Sequence, residues 1–419
     1  MEFFPLSYSS ISAKETKYSN PYATMGKIPL GTLKPRSSYG EEIPEEEIVY
    51  IKFDPIKMED IERNAFNILI LGASGDGKSL IAKNIWSTLH DAGYYNLYID
   101  PKGIDSGNAK LKWQNDKLAP LMQPKGIPLK HYLPMTATTD FEHMIHNFET
   151  YSLKLEDLNE RDMWLGLGLT TIGAIKVRNI INNHKGSKNE LTIQKIIMLL
   201  NFMAENKEIN SQVKNAIVER LTDLQDLGIF DNSVQKLDLM KDFRDGKSIC
   251  ISYNSKDRHL MSFDVGEKIR RIVRSYFDKD NPRRNPAMIY FDDSSYYAKF
   301  VKKQDFNLAV SEILNIGNNY RALGIFNCMM VQTLGIIDED VAETYPIKII
   351  SPKFKNPESL HRINIPKRFI QMLQDSKKHL VQDKDRYLFE WTLVQDGEHV
   401  QFFPFLPPCN HFKRVYFPK

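Results

Sequence analysis

The sequence contains few cysteines and no long apolar run, and both absences exclude classes of protein. Its 419 residues include three cysteines, Cys250, Cys328 and Cys409, without the paired spacing of metal ligands. We therefore expect neither a zinc site nor a disulfide framework, and we expect a reducing, cytoplasmic compartment. The longest apolar stretch, 164–175, is shorter than the roughly 20 residues that span a bilayer. The first residues do not resemble a signal peptide, so we expect a soluble protein that is not itself transmembrane.

The sequence also lacks a strong charge of either sign. Its 56 basic and 53 acidic residues leave a net charge of +3. That value does not by itself indicate a nucleic-acid partner, although a basic channel can lie within a balanced total. A prior of about 150 residues per domain gives two or three domains, or one large domain with insertions. A core of that size needs no disulfide or structural metal.

Short apolar runs alternate with helical patterns in two parts of the chain. The predicted strands lie at 48–53, 66–71, 96–100, 247–253, 287–291 and 324–331. Strands that alternate with helices indicate parallel pairing in an α/β sheet that is covered on both faces.

These patterns divide the chain into three regions. We assign 48–139 and 246–419 to an α/β core. Asp396-Gly397 between two apolar runs predicts a C-terminal hairpin over 386–405. Residues 140–245 are predicted to form an all-helical insertion with helices at 140–155, 163–182, 191–205 and 212–227. Residues 1–47 lack a clear period and end in an acidic cluster, which predicts a flexible arm.

The most specific motif is the octapeptide Gly72-Ala73-Ser74-Gly75-Asp76-Gly77-Lys78-Ser79. It fits the phosphate-loop (Walker A) pattern and lies between a predicted strand and a predicted helix. Glycines let the backbone fold around an anion with its amides pointing inward. The helix that begins there, with Leu80 in its first turn, directs its positive end at the phosphates. Lys78 is expected to reach the β and γ phosphates of ATP, and Ser79 to ligate Mg²⁺. The alternative is an ordinary glycine-rich turn.

Carboxylates follow two of the predicted strands. Asp292 and Asp293 end the run Ala287–Phe291, and ligands bind at this edge of open α/β sheets. We expect Asp292 to hold Mg²⁺, directly or through water, and Asp293 to orient or deprotonate the attacking water. The alternative is an acidic turn. Asp100 is expected to face the same cleft, unless it belongs to a turn built on the proline and glycine that follow it.

Two further polar residues flank the predicted strand 324–331. Gln332 follows it and would hydrogen-bond the γ phosphate or the water if the strand lies beside the phosphate-loop strand; otherwise it is a buried polar cap. Arg321 precedes it, and a planar, permanently charged guanidinium suits phosphate. Arg321 would serve its own site or that of a neighbouring subunit, or it is a surface arginine.

The order of these motifs resembles the HerA/FtsK superfamily of hexameric DNA-translocating ATPases, including the TraG/TraD-like conjugative coupling proteins. The matching elements are Gly72–Ser79, the Asp-Pro-Lys-Gly at 100–103, the helical insertion, Asp292-Asp293, and Arg321 to Gly324 leading to Gln332-Thr333. The resemblance implies a RecA-like P-loop NTPase core with a mostly parallel sheet and an all-helical insertion domain. It also implies a homo-hexameric ring with ATP and Mg²⁺ at subunit borders, double-stranded DNA in the pore, and Arg321 as an arginine finger acting in trans.

The sequence departs from this family in two places. The second carboxylate strand usually ends Asp-Glu, whereas here it ends Asp292-Asp293, one methylene shorter. The segment before the core resembles neither the membrane helices of the coupling proteins nor the β-barrel of HerA. This favours a viral or plasmid motor, working in the host cytoplasm or the virion if viral, with a membrane or capsid portal complex as a further candidate partner.

We therefore expect an ATPase that pumps, transfers or packages DNA. Two alternatives stay open: an assembly switch or scaffold with little turnover, and a P-loop phosphotransferase. Basic residues near aromatics could track a DNA backbone, although a solvated surface is the simpler interpretation. These residues are Arg283, Arg284, Lys299, Lys302 and Lys303, with Tyr296 and Tyr297.

Overall fold

The structure is a computed structural model, and it describes nineteen parts of the chain. These are residues 18, 20–24, 26–34, 43–52, 66–101, 127–134, 148–158, 160–185, 191–226, 230, 237–253, 258–277, 285–294, 306–337, 339–354, 356–376, 381–383, 386–388 and 390–405.

The strands within these ranges follow in chain order. They are β1 (Lys27–Thr32), β2 (Ile48–Lys52), β3 (Ile68–Leu71), β4 (Tyr95–Asp100), β5 (Leu129–Pro134), β6 (Phe148–Tyr151), β7 (Ser248–Ser252), β8 (Ala287–Phe291), β9 (Ile325–Val331), β10 (Ile347–Ile350), β11 (Val381–Asp383), β12 (Arg386–Leu388), β13 (Trp391–Gln395) and β14 (Glu398–Pro404).

The α-helices are α1 (Lys78–Asp91), α2 (Arg161–Gly166), α3 (Thr171–His184), α4 (Ile193–Glu205), α5 (Ser211–Asp226), α6 (Leu239–Arg244), α7 (Arg258–Tyr276), α8 (Leu308–Asn318), α9 (Glu339–Glu343) and α10 (Lys367–Ser376). None of the helices in the described ranges is long and apolar enough to cross a bilayer.

One twelve-stranded sheet organises the fold, in the order β2-β1-β14-β13-β10-β3-β9-β8-β4-β7-β5-β6. Neighbours from β10 to β6 pair in parallel, and β13, β14, β1 and β2 extend the sheet with antiparallel pairs. The central strands are apolar and buried along their whole length, as expected for strands covered on both faces. The predicted α/β fold with a mostly parallel sheet is confirmed.

Two hydrophobic cores cover the two faces of this sheet. Successive side chains of a strand point to opposite faces. In β3, Ile68 and Ile70 pack with Trp86 of α1, whereas Leu69 and Leu71 lie in the cluster that contains Ile269 of α7. The sheet is therefore held between α1 on one side and α7 and α8 on the other.

Helices α2 to α5 form a core of their own within the region 140–245. It is built around Trp164, Val177, Ile196 and Leu221, and it includes Phe263 of α7. The helical layer is thereby joined to the sheet through α7.

The structure differs from the predicted helix at 140–155. Residues Phe148–Tyr151 form β6, which pairs in parallel with β5 at the edge of the sheet. Aromatic and β-branched residues suit a strand, and pairing with β5 overrides the helical spacing. The rest of that predicted helix before Phe148 lies outside the described residues.

The structure also differs at both ends of the chain. Residues Lys27–Thr32, placed in the expected flexible arm, form β1 between β2 and β14, with Ile28 and Leu30 buried. The C-terminal hairpin consists of β13 and β14 around Asp396-Gly397, while Arg386–Leu388 pairs with β11 instead. The pairing of β1 with β14 joins opposite ends of the described chain, and no local pattern in the sequence predicts it.

Candidate nucleotide-binding site

The glycine-rich octapeptide connects the carboxyl end of β3 to the start of α1. The Gly72 amide donates to the Val331 carbonyl oxygen at 3.1 Å, which fixes the start of the loop to neighbouring β9. Gly75 and Gly77 have φ values of 85° and 100°. This left-handed region favours glycine, so these two positions need the residue they have. The amides at the start of α1 are thereby available to an anion.

Lys78 lies across the mouth of this loop. Its ammonium donates to the carbonyl oxygens of Gly72 at 3.0 Å and Ala73 at 2.9 Å, and the residue is 7% exposed. A cation is thus held within the loop where phosphate charge would lie.

The Asp76 side chain stabilises the loop by accepting two hydrogen bonds. Its Oδ2 accepts from the Ala73 amide at 2.7 Å and from the Ser351 hydroxyl at 2.7 Å. Ser351 follows β10, the parallel neighbour of β3, and its amide donates to the Leu71 carbonyl oxygen at 2.8 Å. Neither β10 nor Ser351 was predicted from the sequence. A polar residue after the apolar run Ile347–Ile350 was the available signal.

Asp292 follows β8 and faces the phosphate loop. The Ser79 hydroxyl donates to Asp292 Oδ2 at 3.4 Å, and the Tyr98 hydroxyl donates to the same oxygen at 3.1 Å. Asp292 is 7% exposed, so little water competes for these donors. The structure brings together Ser79 and Asp292 as the sequence predicted. Tyr98, which points from β4, was not foreseen.

These two residues fit a Mg²⁺ ion by the chemistry of their oxygen atoms. Among the described residues, no group of three or more His, Cys, Asp or Glu side chains could hold a metal ion. Mg²⁺ does not need such a group, because it keeps several waters and takes one or two carboxylates together with substrate phosphates.

Asp293 and Gln332 form a pair beside this cleft. Gln332 follows β9, which lies between β3 and β8, and its Nε2 donates to Asp293 Oδ2 at 2.9 Å. Asp293 has a φ of 42° and is 4% exposed. Aspartate tolerates this left-handed conformation better than most residues with a side chain. The turn therefore fixes where the second carboxylate points.

Asp100 ends β4, at the same carboxyl end of the parallel strands as Asp292. The Asp292 amide donates to the Ile99 carbonyl oxygen at 3.1 Å, so the two strand ends adjoin. Asp100 is fully buried and accepts from the Ser252 hydroxyl at 3.3 Å; Ser252 in turn lies 2.7 Å from His131 Nε2. The Asp100 carboxylate is thus hydrogen-bonded to the last residue of β7.

Arg321 lies at the amino end of the central strand β9, whereas the phosphate loop lies at the carboxyl ends of the parallel strands. Arg321 belongs to the 3-10 turn Tyr320–Leu323 that precedes β9, and the phosphate loop adjoins the end of β9. The seven residues of β9, at about 3.3 Å each, separate these two ends of the strand by about 23 Å. This distance excludes a role for Arg321 in its own subunit's site. The residues that could track DNA, at 283–284 and 296–303, lie outside the described residues.

Comparison with known proteins gives the fold an independent reference. No protein-family model matches the sequence, and no curated protein matches it. VirB4 of Thermoanaerobacter pseudethanolicus matches with a TM-score of 0.56 and 12% identity, covering 93% of this chain and 98% of that chain. The bacterial conjugative coupling protein TrwB matches with a TM-score of 0.48 and 12% identity, covering 83% and 87%.

A third solved structure is the genome packaging NTPase B204 from Sulfolobus turreted icosahedral virus 2 in complex with AMP. It has a TM-score of 0.36 and 11% identity, covering 82% of this chain and 98% of that chain. The likeness to VirB4 confirms the predicted RecA-like P-loop fold.

Proposed function

We propose that this chain hydrolyses ATP to move double-stranded DNA, as a subunit of a hexameric ring. The observation that carries the proposal is the approach of Ser79 to Asp292, 3.4 Å apart across the cleft between β3 and β8. It joins a phosphate-binding loop to a carboxylate strand end, which is the combination that P-loop NTPases use for a nucleotide with its metal ion.

The residues of the loop have distinct roles in this proposal. The backbone amides of Ser74, Gly75, Gly77 and Ser79 and the Lys78 ammonium bind the phosphates of ATP. Ser79 and Asp292 would hold Mg²⁺, which neutralises charge on the phosphate oxygens when bound. Asp100 contributes to the same cleft from β4.

Asp293 and Gln332 act on the attacking water. Water oxygen forms a bond to the γ phosphorus as the bond to the β,γ-bridging oxygen breaks, which yields ADP and phosphate. Asp293 orients the water and accepts its proton, and the 2.9 Å hydrogen bond from Gln332 holds the carboxylate in place.

The position of Arg321 supports the proposal of a ring. Its distance of about 23 Å from the loop of its own subunit supports an action in trans, at the border with a neighbouring subunit. A guanidinium there stabilises charge on the phosphates only in the assembled ring. We place the ring in the cytoplasm, or in the host cytoplasm or virion if the protein is viral, with a membrane or capsid portal complex as its partner.

The experiment compares steady-state ATP hydrolysis with and without double-stranded DNA, alongside a mass measurement of the oligomer. We expect DNA to stimulate hydrolysis in a hexamer and Lys78→Ala to reduce the rate by about 100-fold or more. Lys241→Ala, an exposed lysine on α6, is the matched control and should leave the rate unchanged. A ring without DNA binding or DNA-stimulated hydrolysis would refute the motor.

One observation favours a second candidate, an ATP-dependent assembly switch with little turnover. The Asp293 carboxylate is engaged by Gln332 and is one methylene shorter than a glutamate. A switch would show ATP-dependent assembly together with negligible hydrolysis, with or without DNA. Transfer of the γ phosphate to an acceptor other than water would identify the phosphotransferase instead.

A further inference from the structure

Arg321 is preceded by a tyrosine that is tied to a buried carboxylate. The Tyr320 hydroxyl donates to Glu312 Oε2 at 3.0 Å. Glu312 belongs to α8, and its side chain is 2% exposed. The turn that carries Arg321 is therefore fastened to α8 by a side-chain hydrogen bond.

The same carboxylate is paired with an arginine from α7. Arg270 Nε donates to Glu312 Oε1 at 2.6 Å, and Arg270 Nη1 donates to Glu160 Oε2 at 2.8 Å. Glu160 immediately precedes α2, the first helix of the helical layer. A continuous chain of hydrogen bonds thus runs from that layer to the turn.

The Tyr320 hydroxyl keeps its proton at neutral pH. Burial, and then the negative charge of Glu312, raise the pKa of Tyr320 to about 12. The hydroxyl therefore remains a donor. A buried carboxylate is costly unless it is paired, and Arg270 pairs with Glu312 at 2.6 Å.

The backbone after Arg321 is anchored as well. The Gly324 amide donates to the Arg321 carbonyl oxygen at 2.9 Å, and the Ala287 amide donates to the Gly324 carbonyl oxygen at 2.9 Å. The turn is thus fixed to β8 on one side and, through Tyr320, to α8 on the other. Loss of the Tyr320 bond would release one of these two anchors.

We propose that Tyr320 and Glu312 are positioning residues for Arg321, and that Arg270 and Glu160 connect them to the helical layer. The proposal rests on the proposed function, because it gives these residues a task only if Arg321 acts on a neighbouring subunit's ATP. A shift of the helical layer would then reach the arginine through three hydrogen bonds.

The test uses Tyr320→Phe, which removes a single hydroxyl, in the full-length assembled protein. A hydrogen bond to a carboxylate is stronger than one between neutral groups. Its loss should misplace the arginine, so we expect kcat for ATP to fall about 3- to 10-fold, with KM and the oligomer mass unchanged. Glu312→Gln should give a similar kcat loss, since it weakens the bonds from both Tyr320 and Arg270.

Tyr132→Phe is the matched control. Tyr132 is a buried tyrosine of β5 whose hydroxyl also donates to a carboxylate, that of Asp242, and β5 lies four strands away from β9 in the sheet. The substitution should lower the unfolding midpoint without lowering kcat. An equal loss of kcat in Tyr132→Phe would mean that the Tyr320 effect is general destabilisation, and would overturn the proposal.

Two further measurements separate this proposal from the proposed function. Combining Tyr320→Phe with Arg321→Ala should cost no more kcat than Arg321→Ala alone; additive losses would overturn the positioning role. If Arg321→Ala hydrolyses ATP normally in the ring, the trans-acting arginine itself is wrong. If Arg321→Ala is defective while Tyr320→Phe has wild-type kcat, only the positioning role is wrong.

Discussion

Ser351→Ala tests whether the phosphate loop depends on a strand that the motif does not include. The Ser351 hydroxyl donates to Asp76 Oδ2 at 2.7 Å, and Ser351 is 1% exposed. The same Asp76 oxygen accepts from the Ala73 amide at 2.7 Å. The substitution removes one of these two donors and leaves the glycines, Lys78 and the second carboxylate strand intact.

The expected magnitude follows from the burial of this hydrogen bond. A bond to a charged group contributes roughly 1.5–3 kcal/mol. Asp76 keeps the Ala73 amide and is 7% exposed, so water replaces little of the loss, and we expect the free energy of unfolding to fall by about 1.5–2 kcal/mol. ATP must then order a looser loop, and since about 1.4 kcal/mol is tenfold in affinity, we expect Kd for ATP to rise about 3- to 10-fold.

The assay is calorimetric titration with a non-hydrolysable ATP analogue, together with urea unfolding. Ser359→Ala is the matched control, because Ser359 is 8% exposed and its hydroxyl donates to the Asn356 carbonyl oxygen at 2.6 Å, outside the loop. Asp76→Asn keeps an oxygen acceptor and should bind the analogue at least as tightly as wild type. Wild-type affinity in Ser351→Ala, with a stability loss like that of the control, would refute the reasoning.

Three other expectations concern the core. Gly266→Ala should lower the free energy of unfolding by about 1–3 kcal/mol in urea titrations, because its Cβ would lie 2.6 Å from Leu308 Cγ, where α7 meets α8; an unchanged midpoint would contradict this. Burial alone would raise the pKa of Asp264, but the Lys268 ammonium at 2.8 Å and hydrogen bonds from two tyrosines hold it below the ordinary value of an aspartate. The contribution of ionised Asp264 to stability is therefore present above about pH 3.8 and lost as the pH falls through the pKa of the folded state. Asp264→Asn should therefore be less stable than the wild type at neutral pH, and it should lose less stability than the wild type when the solution is acidified. Cys328 is fully buried and burial raises its pKa, so mass spectrometry should find its peptide alkylated at pH 8 only after unfolding.

The nucleotide cleft shows which features local sequence patterns predict and which they miss. Gly72–Ser79 and the apolar run before Asp292 are local signals, so the sequence predicted the strand, loop and helix, and the second carboxylate strand end. Asp76 was assigned to the loop without its partner, because Ser351 lies 275 positions away. Tyr98 was missed because a tyrosine within a buried strand has the pattern of an ordinary core residue.

The strands differ in the same way, because some have a local sequence pattern and others depend on their partners. Strands β3, β8 and β9 are apolar along their whole length and were predicted nearly to the residue. Strand β1 pairs with β14 from the other end of the described chain, and among the described strands β6 pairs only with β5, so a flexible arm and a helix were expected in their place.

The sequence by itself determined the phosphate loop, the parallel α/β core and the helical layer, because glycine spacing and hydrophobic periodicity are properties of neighbouring residues. The tertiary structure decided which strand ends meet. It brought Ser79 to Asp292 and Gln332 to Asp293, and it placed Arg321 at the amino end of β9, away from the loop. The physical reason is that strand order depends on pairings between distant segments, and no local pattern of residues encodes those pairings.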